Sequence, residues 1–144
     1  MKHFFSIAFL FTGLTFGVSG FSQDSLYART VDSLWLHSYE TSWLSKKRAT
    51  VGNAKVEYSF YKSSGKMRSI VSLNKAEKEN LIFFYLEDKL VMISPSGQQP
   101  YFILNDSLVY TTQLKHTPEQ VQKLIARAYD FLEKGYSKVK GQRD

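Results

Sequence analysis

Residues 81–94 read LIFFYLEDKLVMIS. An apolar and aromatic run, Leu81 to Leu86, stops at the acidic pair Glu87-Asp88, and the chain returns from Lys89 to Ser94. Apolar runs of this length bounded by turn residues are strands, and two of them joined by two residues form an antiparallel hairpin. In Phe83-Phe84-Tyr85 consecutive side chains point to opposite sides of the sheet, so both faces carry large rings. One face is core. The other needs its own cover: a helix, a ligand or a partner.

The same pattern extends outward. Upstream, Val56, Tyr58 and Phe60 alternate with Glu57, Ser59 and Tyr61; Ser63-Ser64-Gly65 turns the chain, and Met67 to Leu73 returns. Asn74 to Asn80 is a polar connection. Downstream, Pro95-Ser96-Gly97-Gln98 is a turn, Tyr101 to Leu104 a strand, Asn105-Asp106 a turn and Ser107 to Gln113 the last strand. Pro100 stands at the start of its strand, where a missing N–H does least harm. An aromatic pair, a polar turn and a returning strand recur at Phe60-Tyr61, Phe84-Tyr85 and Tyr101-Phe102. The spacing is uneven, which fits successive hairpins rather than a true repeat.

Helices flank the strands. Residues 24–44 place Tyr27, Val31, Leu34, Trp35, Tyr39 and Trp43 at helical spacing, with Asp24 or Ser25 as the cap and a candidate break near Ser38, where Ser, Thr and Tyr crowd. Ser45 to Ala54, with Lys46-Lys47-Arg48 and the Gly52-Asn53 turn signal, reads as a linker. At the other end Thr117-Pro118-Glu119-Gln120 is a capping box with proline in the first helical position. Val121, Leu124, Ile125, Ala128, Leu132 and Tyr136 then form one apolar stripe, with Phe131 beside it, and Gly135 weakens the final turns. The expected fold is α+β: an antiparallel six-stranded β-meander with an N-terminal helix and a long C-terminal helix packed on the sheet. In element order alone this resembles helix-grip domains and other exported sheet-and-helix binding domains. No motif carries the resemblance to a particular family.

Ahead of these elements, Met1-Lys2-His3 is a short basic start, Phe4 to Phe16 an uncharged apolar run and Gly17 to Ser22 a small, polar exit. That order is a secretory signal, with cleavage after Ser22 preferred to cleavage after Gly20. The competing reading is an uncleaved anchor, since residues 4–23 are uncharged and just long enough to span. Glycines and serines dilute the second half of that stretch. The expected organisation is a signal peptide over 1–22 and a single exported domain over 23–144, periplasmic or secreted, with no span in the mature part.

The formal charge is +6, with basic residues scattered rather than striped. This is a solubility feature and not the footprint of a nucleic-acid binder. The chain has no cysteine, which excludes disulfides, thiol nucleophiles, thiolate metal sites and a lipidated N-terminal cysteine. It has no phosphate loop, no G-x-S-x-G elbow and no H-E-x-x-H pair. Beyond the leader the histidines are His37 and His116, with no spacing that suggests a base beside a nucleophile. Glu57 is a mid-strand acid, read as facing water. No catalytic residue, metal or cofactor is assigned.

The positive signal is aromatic. Tyrosine suits surfaces that are part apolar and part wet, and the candidate ligand contacts are Trp35, Tyr58, Phe60, Phe84, Tyr101 and Tyr110. The plainer reading is a sheet covered on both sides by the two helices. The expected function is a non-enzymatic binding domain of the cell envelope or secreted space. It would hold an apolar or amphipathic ligand, or a protein partner, on an aromatic-rich sheet. The alternative is an accessory subunit pairing through a sheet edge at Lys55 to Lys62 or Ser107 to Gln113. A small hydrolase built on distant Ser, His and acid residues comes last.

Overall fold

The computed structural model describes residues 22–37 and 43–139. The expected leader lies outside the described residues except for Ser22. Helix α1 spans Gln23–His37. It is followed by strands β1 (Leu44–Val51), β2 (Ala54–Tyr61), β3 (Met67–Asn74), β4 (Glu79–Leu86), β5 (Lys89–Pro95), β6 (Tyr101–Leu104) and β7 (Ser107–Tyr110). Helix α2, Pro118–Val139, closes the chain of elements. No described helix is long and apolar enough to cross a membrane.

The strands form one antiparallel sheet in sequential order, β1 to β7. The sheet has seven strands, not six. The expected linker Ser45 to Ala54 is β1 and its turn, paired residue for residue with β2 from Leu44↔Tyr61 to Val51↔Ala54. The first helix as described ends at His37, beside the candidate break at Ser38; residues 38–42 lie outside the described set, and Leu44, read as helical, belongs to β1. The last strand stops at Tyr110 rather than Gln113.

Three of the turns follow from their residues. Glu87 and Asp88 have φ of 50° and 62°, and Asn105 and Asp106 have 50° and 60°. Left-handed backbone at both central positions matches the right-handed twist of the flanking strands, and Asn and Asp tolerate it well. Gly52 leads the β1–β2 turn at φ 59°, where glycine carries no Cβ penalty.

The two helices lie on opposite faces. On the first face, Val56, Tyr58, Ile70, Phe83, Tyr85, Ile93 and Tyr101 pack against Val121, Leu124, Ile125, Ala128 and Phe131 of α2. The capping box forms as its residues predict: Thr117 N–H donates to Gln120 Oε1 (2.8 Å) and Gln120 N–H to Thr117 Oγ1 (3.2 Å). On the second face, Phe84, Val91, Met92 and Phe102 pack against Tyr27, Ala28 and Val31 of α1.

Tyrosine hydroxyls tie both helices to the sheet backbone. Tyr27 donates to the Ile103 carbonyl, and Tyr85 donates to the Ala128 carbonyl at 2.7 Å. Tyr129 donates to Asp106 Oδ1 (2.6 Å) and accepts from Leu90 N–H (3.2 Å). Tyr136 donates to Asp88 Oδ1 and accepts from Met67 N–H (3.2 Å). Each of the last two therefore bridges neighbouring hairpins at one end of the sheet. On the other side of α2, Arg127 pairs with Glu79 at 3.0 Å.

Candidate functional site

The second face is built in cross-strand rows, because residues directly opposite in an antiparallel pair share a side. One row crosses all seven strands: Lys46, Ser59, Ser69, Phe84, Met92, Phe102 and Tyr110. It is apolar over β4–β7 and polar over β1–β3. The apolar stripe of α1 follows the apolar half, so this helix covers one end of the face and leaves the other.

Arg68 marks the boundary. The β2–β3 register shifts between Ser59 and Phe60, so Arg68 is the extra residue of a bulge. A bulge breaks the strict alternation and can re-aim a side chain. Here it turns Arg68 onto the face of Ser69. Arg68 is 4% exposed. Its guanidinium carbon lies 4.3 Å from the Trp35 ring centroid and 5.8 Å from that of Phe84. The Trp35 and Phe84 rings meet edge to face at 5.2 Å. Nη1 donates to Ser69 Oγ (3.3 Å) and Nη2 to the Trp35 carbonyl (3.4 Å). Ring quadrupoles and hydrogen bonds thus replace part of the water a buried charge loses.

Past Arg68 no described helix covers the face. Two further rows run Arg48–Glu57–Val71–Ile82–Ser94 and Thr50–Lys55–Leu73–Asn80. Val71 and Ile82 are half-buried, and Leu73 is 43% exposed. Arg48, Thr50, Lys55, Glu57 and Leu73 bound a groove of about 610 Å³. Glu57 accepts from Arg48 Nε at 2.9 Å and pairs with Lys46 Nζ at 3.5 Å. The mid-strand acid therefore stands in an ion-paired wall and does not simply face water. The site combines an aliphatic floor with walls of both signs.

The six candidate ligand contacts divide between the faces. Tyr58, Phe60 and Tyr101 are buried in the core beneath α2, and Trp35, Phe84 and Tyr110 pack around α1. The hydroxyl of Tyr58 is buried without a hydrogen-bond partner among the described residues; burial, with the charge of Asp130, raises its pKa. Tyr101 shares a 2.6 Å hydrogen bond with His116 Nδ1 and accepts from Lys115 N–H. His37 is exposed and bonds the Ser33 carbonyl one turn back. Among the described residues no group of three His, Asp or Glu could hold a metal ion.

Arg68, Val71, Leu73 and Ile82 escaped the sequence reading. The signal for Arg68 was present: an arginine directly after Met67, where the strand's alternation begins, breaks the period. Nothing in the sequence marked Leu73 as exposed rather than core, because that depends on how far α1 reaches. Comparison of the chain with family models, curated proteins and solved structures found no match.

Proposed function

We propose that this chain is a non-enzymatic binding domain, exported to the cell envelope or secreted space, that takes an amphipathic ligand on the open half of the second sheet face. The observation that carries this reading is Leu73. It stands 43% exposed beside Val71 and Ile82 on a face whose other half is covered by a helix. An exposed leucine beside half-buried aliphatic groups, rimmed by charge on one sheet face, fits a binding surface. The aliphatic floor would receive the apolar part of the ligand. Arg48, Lys55 and Glu57 would orient its polar end. The aromatic residues contribute by fixing the scaffold: Trp35 and Phe84 hold Arg68 at the boundary.

Native mass spectrometry of the chain purified without denaturant tests this. The expected result is an added mass that is lost on denaturation and absent from a folded Leu73→Asp variant. A clean mass, together with no uptake of an added long-chain amphiphile, overturns the reading. An added mass that survives Leu73→Asp unchanged places the ligand elsewhere.

A further inference from the structure

β1 is the outermost strand of the sheet, and among the described residues no strand pairs with its far side. The opposite edge is different. β7 has four residues and packs beside α1, whereas β1 has eight. Among the described residues, the missed strand therefore moves the sheet edge from Lys55–Lys62, which is interior, to Leu44–Val51.

The register fixes which backbone groups face outward. A two-residue turn makes its flanking residues, Val51 and Ala54, a hydrogen-bonded pair. Alternation from there directs the N–H and C=O of Lys46 and Arg48 away from β2. Their side chains stand together on the second face, 51% and 83% exposed. Both ion pairs they make are with one carboxylate, Glu57, on the inner side. Two cations share one anion, and the row ends on the positive member.

We propose that this edge receives an extended segment of a partner protein carrying carboxylates at alternate positions, added as a further strand. Residues two apart on a strand share a face, so such carboxylates reach Lys46 and Arg48 together while backbone groups extend the ladder. The row then reads acid, base, acid across three strands. Charge selects this occupant over a second copy of the chain. Two β1 strands side by side bring Lys46, Lys47 and Arg48 against their own kind, and like charges opposite one another are destabilising. Edge lysines are a known guard against self-pairing; an acidic strand turns that guard into an attraction. This edge shares Arg48 with the groove wall, but Lys46 does not line the groove and Leu73 does not belong to the edge.

The experiment is an NMR titration of the full chain with a synthetic peptide alternating glutamate and valine, beside the same peptide with lysine in place of glutamate. The expected result is slowed amide exchange at Lys46 and Arg48 with the glutamate peptide alone, in binding that weakens with added salt. Lys46→Glu should weaken that binding about fivefold. Equal binding of the lysine peptide overturns the proposal, as does binding that leaves the Lys46 and Arg48 amides unprotected. Protection of those amides by self-association, without peptide, overturns the choice of occupant. If Lys46→Glu disturbs β1, the amide map of the unaltered chain still decides. A groove ligand would perturb Leu73 and the Arg48 side chain without protecting the Lys46 amide, so the two readings fail separately.

Discussion

The ring of Tyr58 lies against the backbone of Gly135: a Cβ at that position would stand 2.5 Å from Tyr58 Cε1 and 2.8 Å from Cδ1. Glycine inside α2 looks like a defect in a helix, and in an exposed helix replacing it by alanine gains about 1 kcal/mol. Here the sign reverses. Gly135→Ala should cost about 1–3 kcal/mol, the usual penalty of overpacking, as a lowered midpoint in urea unfolding. A stabilised Gly135→Ala variant would mean that β2 and α2 are not this close.

Tyr58 offers the opposite change. Its hydroxyl is buried and has no hydrogen-bond partner among the described residues, so it carries a desolvation cost that they do not offset. Tyr58→Phe keeps the ring and removes that oxygen. Stability should rise by about 1 kcal/mol, measured by the same unfolding experiment. A loss of stability would show that the hydroxyl has a partner in solution.

Arg68 holds the boundary by geometry as much as by charge. Its planar group stacks on Trp35 at 4.3 Å while its two terminal nitrogens donate to different acceptors. Lysine keeps the charge and loses the plane and the fork. Arg68→Lys should therefore cost about 1–2 kcal/mol and broaden the NMR signals of Trp35. Unchanged stability would show that charge alone suffices.

Tyr136 links stability to alkaline pH through its bond to Asp88. Burial, then the hydrogen bond to Asp88, pushes its hydroxyl up to about 12. An unfolded tyrosine ionises near 10. Above pH 10 the unfolded chain sheds a proton that the folded chain retains, so the contribution is full below pH 10 and is lost as pH rises through about 12. Tyr136→Phe should cost about 1–2 kcal/mol at neutral pH and flatten the decline above pH 10. Urea midpoints on either side of pH 10 check both. A decline of the same slope in the variant would assign it to Tyr27, Tyr58, Tyr85 and Tyr129, whose hydroxyls burial also raises.

The legible parts of the fold were those with side-chain signals. The hairpin of Glu87-Asp88, the turn at Asn105-Asp106 and the capping box at Thr117 and Gln120 all stand where their residues put them. β1 was illegible because an edge strand gains its order from backbone pairing, which is blind to side chains. Lys46, Lys47 and Arg48 erase the alternation that Ala49 and Val51 would otherwise carry. The sequence showed that Phe83, Phe84 and Tyr85 serve two faces, but not which helix covers which face, or how far. The open half around Leu73 was hidden for that reason: it is defined by where α1 ends.

Tyr129 and Tyr136 are two helical turns apart on one side of α2, a rise of about 10.5 Å. The aspartates they hold, Asp106 and Asp88, belong to hairpin turns two strands apart, about 9.6 Å at the usual strand spacing. The helix is thus a ruler laid across the sheet, with its pitch matched to the strand repeat. A meander with a strand skipped or a hairpin slipped offers the second tyrosine no aspartate at the right distance. One residue inserted between the two tyrosines swings the second by about 100° and spoils the measurement as surely. Helix α2 therefore proofreads the strand count between those two turns.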